Sequence, residues 1–396
     1  MSGAARELAG LFLKLGTTAF GGPAAHVAMM EDEVVRRRGW MSRETFLDYL
    51  SAANLVPGPN STELALHVGL ARDGARGLVV AGLAFILPAA CIVGGLAWAY
   101  VRFGALPAAA GVLYGVKPVV IAVVAQALWG FGRTALRTAP LTLLAAAAAA
   151  AFALGVHEIA VLVGAGVVAT LAAAGARQAP SLVALVAAGS VAPRTGTAGA
   201  ALLAAGVGVP AAGAAAASTG GLWTLFGVFA KTGALLFGSG YVLVAFLRAD
   251  LVQRLGWLTE RQLLDAVAVG QVTPGPLFTT ATFVGYLVGG WPGAVVATVG
   301  IFLPAFLYVA VSGPLVRRVR RSRLAGAALD GVNVASLALM GVVGVQLARA
   351  ALVDSLTVGL AGASALLLLR WRVNSAWLVA GGAAVGVVAG LAGLVR

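Results

Sequence analysis

Charge is scarce in this chain of 396 residues: 10% of it is Asp, Glu, Lys or Arg, against 60% hydrophobic residues. Soluble domains carry about 25% charged residues, so this sequence cannot clothe itself in a water-facing surface and belongs in a bilayer. Cysteine occurs once, at Cys91, which excludes a disulfide or a cysteine metal cluster; inside an apolar run it reads as a small buried hydrophobe. The histidines are His26, His67 and His157, without metal-ligand spacing, and His157-Glu158 lacks the second histidine of a zinc-protease helix. No nucleophile and base stand in a catalytic arrangement, so an enzyme is the most distant reading and no cofactor is called for.

What is abundant is apolar sequence. Runs long enough for a bilayer core, which needs about 20 helical residues, lie near 8–29, 78–101, 108–131, 139–156, 159–176, 222–247, 293–316, 327–348, 352–369 and 376–395. The net charge of +13 comes from arginines in the short connections between these runs. They read as topology determinants, not as a nucleic-acid surface. Lys14 interrupts the first apolar run, which therefore does not read as a cleavable signal.

One stretch occurs twice. Phe12 to Glu63 lies on Phe229 to Thr280 at a constant offset of 217, repeating Phe12, Lys14, Gly16, Phe20, Gly21, Gly39, Trp40, Leu47, Asp48, Pro57, Gly58, Pro59 and Thr62. The expected fold is an all-α integral membrane protein of two homologous halves, each with about five spans plus a broken-helix hairpin around Pro-Gly-Pro. Residues 1–177 form the first half and 222–396 the second; 178–221, rich in Ala and Gly, are a linker or two thin spans.

Arginine placement gives the orientation. With 8–29 as one crossing, one side of the first half collects Arg36, Arg37, Arg38, Arg43, Arg72, Arg76, Arg133, Arg137 and Arg177, and the other only Arg6 and Arg102. The rich side is then cytoplasmic. In the second half Arg317, Arg318, Arg320, Arg321, Arg323, Arg370 and Arg372 fall on the equivalent of the poor side, facing Arg248, Arg254, Arg261, Arg349 and Arg396. A reversed bias is what an inverted repeat requires, and it makes 178–221 begin and end in the cytoplasm.

The three lysines, Lys14, Lys117 and Lys231, all sit in apolar segments. A charge there costs at least ~2.5 kcal/mol on insertion scales, so each either faces an aqueous cavity or a partner, or snorkels to the interface. Lys14 and Lys231 recur; an inverted two-fold axis turns them toward one cavity, where two ammonium groups call for a dianion. Each Pro-Gly-Pro starts a half-helix, at Asn60 and at Leu277, whose free N–H groups and positive dipole end suit an oxyanion. The substrate-binding candidates are Lys14, Lys231, Gly21, Gly22, Gly238, Ser239, Gly58, Asn60, Ser61, Thr62, Gly275, Thr279 and Thr280. Glu63, where the second half has Thr280, is either a proton carrier or lysine counter-ion, or a partner of Arg72 or Arg76. Lys117, whose equivalent is Asn333, either joins the coupling or snorkels. The tryptophans Trp40 and Trp257 read as interface anchors, and Asp48 and Asp265 as members of helix-end ion pairs.

Phe-Gly-Gly-Pro at 20–23, Gly-Trp at 39–40, Pro-Gly-Pro-Asn-Ser-Thr-Glu at 57–63 and their second-half counterparts resemble the chromate ion transporter family in its long, two-domain form. The resemblance implies a secondary transporter in the bacterial cytoplasmic membrane that exports chromate, confers chromate resistance and favours proton coupling. It implies chromate as the partner, with sulfate as the chemical look-alike; composition and charge placement add the lipid bilayer and leave out nucleic acid, and a homodimer is left open. The residues by themselves specify only a tetrahedral-size dianion, and import of sulfate or another oxyanion by the same fold is the alternative.

Overall fold

The structure, a computed structural model, describes residues 3–19, 22–53, 57–103, 107–175, 219–236, 242–319, 323–371, 373 and 375–392. They form helices and turns, with no strand among the described residues. In the first half α1 is Gly3–Thr18, α2 Gly22–Glu31, α3 Arg43–Ala53, α4 Asn60–Phe103, α5 Pro107–Ala135, α6 Ala139–Ala153 and α7 Glu158–Ala173. In the second, α8 is Thr219–Leu235, α9 Leu243–Leu247, α10 Glu260–Val272, α11 Thr280–Val319, α12 Arg323–Ala351, α13 Ser355–Arg370 and α14 Ser375–Leu391. Among the described residues four helices are long and apolar enough to cross a membrane: α4, α5, α12 and the segment Leu277–Val311.

The repeat extends to local detail. α2 runs into a π-helical turn, Asp32–Arg37, and α9 into another, Arg248–Arg254. Each closes the same way: Trp40 N–H donates to the Val34 carbonyl (2.9 Å) and Trp257 N–H to the Leu251 carbonyl (2.8 Å). The residues before them, Gly39 and Gly256, have φ of 59° and 63°, a left-handed helix end that glycine adopts without Cβ strain. This explains the recurring Gly-Trp.

The first apolar run, 8–29, is not one crossing. Lys14 Nζ meets Glu33 Oε1 at 2.7 Å and His26 Nε2 lies 3.0 Å from the Ala19 carbonyl, so α1 and α2 lie antiparallel as a hairpin. Leu8, Leu11, Phe12 and Leu15, one helical stripe, pack on Met30 and Val34. The 16 residues of α1 rise about 24 Å, short of a full crossing. An apolar run of span length cannot by itself distinguish one rod from two arms. The run 222–247 divides likewise, since Lys231 on α8 reaches Asp250 beyond α9.

α4 is itself two limbs, broken at Asp73 and Gly74 (φ 60°). α11 breaks in the same way at Gly289 and Gly290 (φ 61°). The limbs fold back on each other: Gly69 lies against Gly77 and Ala81, and Gly285 against Gly293 and Ala297. Arg72, at the tip of the first hairpin, binds Glu7 at 2.9 Å. The chain therefore enters and leaves α1 through the first limb of α4 at one end of the bundle, here the Arg72 end. Arg6, expected on the opposite side, belongs to this end.

The second limbs cross the bundle antiparallel to each other, because Gly82 meets Phe306 while Gly94 meets Trp291. Two further pairs approach at backbone distance. α5 packs on α14 through Gly111 and Gly115 against Gly386 and Gly382, and α12 on α7 through Gly331 against Ala165. Small residues four apart let apolar helices approach at backbone distance where no hydrophobic effect drives them together. α7 thus ends beside the start of α12, whereas α8 starts with Leu222 against Gly289 at the other hairpin tip. The described ends flanking 176–218 lie at opposite ends of the bundle, against the expectation that this stretch begins and ends on one side. Cys91 is exposed on the second limb of α4; in a bilayer the outer face of a helix is as apolar as the inner, so sequence did not distinguish them.

Candidate functional site

The two Pro-Gly-Pro turns meet the opposite repeat. Gly58 N–H donates to the Leu236 carbonyl at 2.7 Å, and Gly275 N–H to the Ala19 carbonyl at 3.0 Å. Ala19 and Leu236 are themselves repeat equivalents, so the contacts are reciprocal, as in a two-fold interface. The two donors lent to this interface are those of the glycines singled out in the sequence. Gly58 has φ 144° and Gly275 φ 89°.

Beyond the glycines the half-helices begin. Pro59 C=O accepts the N–H of Thr62 (2.7 Å) and Glu63 (3.0 Å), and Pro276 C=O accepts that of Thr279 (3.0 Å). α4 starts directly at Asn60, while a 3₁₀ turn, Leu277–Thr279, precedes α11. Ser61, Thr62, Thr279 and Thr280 are all buried. Thr279 Oγ1 donates to Pro276 C=O and Thr280 Oγ1 to Leu277 C=O, both at 2.8 Å, whereas Thr62 Oγ1 has no protein partner. Gly22 opens α2 with φ 75°. Gly21, Gly238 and Ser239 lie outside the described residues.

Glu63 is fully buried, and neither carboxyl oxygen has a hydrogen-bond partner. Its side chain folds back over the start of its own helix until Oε1 occupies the space that a Cβ on Gly58 would need. Arg72, weighed as its partner, binds Glu7 instead. The carboxyl thus sits at the positive end of the α4 half-helix, the place argued for an oxyanion.

Each repeated lysine is held by a carboxylate of its own repeat, from the π-helical turn. Lys14 binds Glu33 at 2.7 Å, and Glu33 also lies 3.6 Å from Arg37 and 3.3 Å from Arg38. Lys231 binds Asp250, which Arg254 reaches at 2.9 Å, and also lies 3.4 Å from Glu158. Lys14, Glu33 and Arg37 recur as Lys231, Asp250 and Arg254, one cation–carboxylate–cation unit per repeat. Glu33 and Asp250 were legible as acids at the same repeat position; Glu158, from α7, had no such signal.

Lys117 does not snorkel. It is buried and binds Asp265 of the second repeat at 2.8 Å; Tyr100 Oη donates to the other oxygen of that carboxylate, also at 2.8 Å. Asp265, expected in a helix-end pair, is fully buried on α10. At the Arg72 end Trp40 lies under the guanidiniums of Arg38 and Arg72, 5.2 and 4.9 Å from its ring centre. Trp257 packs into the main apolar cluster.

The family described as chromate transporter matches residues 6–171 and 223–387. A chromate transport protein of Cupriavidus metallidurans is 34% identical over 97% of this chain and 93% of its own length. One of Pseudomonas aeruginosa is 35% identical over 92% and 87%. An uncharacterized transporter of Methanocaldococcus jannaschii is 28% identical over 87% and 84%. No solved structure matches this chain. Repeated half-helices, apolar helices of spanning length and these relatives agree: the chain is a multi-pass membrane protein and belongs to the chromate transporter family.

Proposed function

We propose that this protein is a secondary transporter that exports chromate across the bacterial cytoplasmic membrane and thereby confers chromate resistance. The observation that carries the reading is that each half-helix start meets the opposite repeat, Gly58 at Leu236 and Gly275 at Ala19, in a chain whose relatives are named chromate transport proteins. Two positive helix ends set into the interface where the repeats join are suited to a divalent oxyanion.

The antiparallel second limbs and reciprocal Pro-Gly-Pro contacts support an inverted repeat. The Arg72 end, with the larger share of arginine, is then cytoplasmic. In this reading the anion occupies the space between Gly58, Asn60, Ser61 and Thr62 on one side and Gly275, Thr279 and Thr280 on the other. Lys14 and Lys231 contribute positive field, tempered by Glu33 and Asp250. Glu63 stands where the anion must come. A carboxylate and a dianion repel each other at one helix end, so in this reading Glu63 gives up its place by taking a proton from water as the anion arrives, which couples the two.

Sulfate is the second reading, because backbone N–H groups and hydroxyls do not separate two tetrahedral dianions, and direction follows from energetics outside the site. Labelled chromate and sulfate should be compared in intact cells and everted vesicles that contain the protein. Chromate moving into everted vesicles and out of cells is expected; sulfate accumulating in intact cells would replace export by import.

A further inference from the structure

The two repeats have the same parts in different surroundings. α10 is enclosed: every residue from Leu263 to Ala268 is buried, more than one full turn, so protein lies on every side. It packs on α5, α12 and α14 as well as on its neighbours in sequence. Its counterpart α3 packs chiefly on α4 and α2, burying Phe46, Ala52 and Ala53 and exposing Arg43, Glu44, Leu47 and Asp48. Glu44 and Asp48, four apart, share a helix face. Charged residues on an uncovered face within a membrane protein border water, not lipid.

The difference coincides with one set of side chains. Asp265 on α10 is clasped by Lys117 of α5 and Tyr100 of α4, tying the second repeat to the first. Asp48 is the repeat equivalent of Asp265, but at the offset of 216 that relates the hairpin breaks (Gly74 to Gly290) and the helices after them, Lys117 corresponds to Asn333 and Tyr100 to Val316. The acid is duplicated and its cation and phenol are not.

We propose that Lys117, Tyr100 and Asp265 form a one-sided latch. The latch holds the Tyr100 end of the interface closed while the Arg72 end stays open along α3. Transport, on the reading given above, requires the latch to release as α3 takes against α12 and α5 the place that α10 now holds. Since the alternate state has no equivalent clasp, the empty protein rests open at the arginine-rich end, where an exporter loads.

Labelling tests this without relying on transport. In a Cys91→Ala background, Leu47→Cys reports on α3 and Ala268→Cys on α10, with a membrane-impermeant maleimide applied from either side. Leu47→Cys should react fast from the Arg72 side and Ala268→Cys should be protected. Adding Asp265→Asn or Lys117→Met should raise Ala268→Cys labelling from the opposite side by about ten-fold to a hundred-fold, the population shift expected for losing a charge-assisted contact, and slow Leu47→Cys. Asn333→Lys removes no buried group and places a lysine at the repeat equivalent of Lys117; it should shift both rates the same way and decides the matter if the latch variants fail to accumulate. Unchanged rates in variants that reach the membrane normally would reduce the cluster to a structural ion pair. Switched labelling without chromate movement would keep the latch and sink the substrate.

Discussion

Lys14 and Lys231 occupy one position of the repeat and should respond unequally to removal. The Lys14 side chain is 54% exposed, and its partner Glu33 keeps Arg37 and Arg38 within 3.6 Å when the ammonium is gone. Lys14→Ala should therefore cost what a solvent-exposed pair contributes, about 0.2–1 kcal/mol. The Lys231 side chain is 26% exposed and faces Asp250 and Glu158, whose side chains are 3% and 2% exposed. Arg254 still serves Asp250, but Glu158 retains only His157 at 3.5 Å. Breaking a buried pair so that one charge is stranded costs about 3–5 kcal/mol. Melting of the purified protein in detergent, followed by tryptophan fluorescence, should show Lys14→Ala close to the parent and Lys231→Ala well below it. Glu158→Gln in the Lys231→Ala chain should recover part of the loss, because it removes the stranded charge. Equal melting of the two single variants, or no recovery from Glu158→Gln, would refute the argument. Chromate titration of the same samples separates stability from binding. If both ammonium groups also balance the anion, each variant should bind about ten-fold to a hundred-fold more weakly; parent-like affinity in both would remove the lysines from the site.

Two further outcomes are expected. Gly58→Ala places a Cβ on Glu63 Oε1 at a φ of 144°, costing about 1–3 kcal/mol in backbone strain and expelling the carboxyl; adding Glu63→Ala should restore part of the melting temperature, and no restoration would mean that the carboxyl lies elsewhere. Gly275→Ala meets Ala89 Cβ at 2.7 Å and the Gly16 carbonyl at 3.0 Å; Ala89→Gly would remove the first, but the second is backbone, so rescue should be smaller. For the topology, single cysteines at Arg37 and Arg254 in a Cys91→Ala background should label from opposite faces of the membrane; labelling from one face would overturn the inverted repeat.

The membrane setting, the helical character and the duplication follow from sequence, because each rests on composition or on identities at a fixed offset. The glycines of Gly-Trp and Pro-Gly-Pro marked turns for an equally local reason: a left-handed or crowded backbone position restricts which residue can stand there. Contacts between turns of chain far apart in sequence were another matter. Nothing local says that 8–29 folds back on itself, that Glu63 lies over its own helix start, or that Asp265 reaches Lys117 and Tyr100 across the repeat interface. In a bilayer both faces of a helix can be apolar, so the periodicity that tells inside from outside in a soluble protein fades, and with it the side on which Cys91 points. Sequence gave Asp48 and Asp265 the same standing. Only the packing of α3 and α10 against different neighbours made one an exposed acid and the other a buried acid bound by Lys117 and Tyr100, since an ion pair across repeats is fixed by where whole helices sit, not by the residues around either charge.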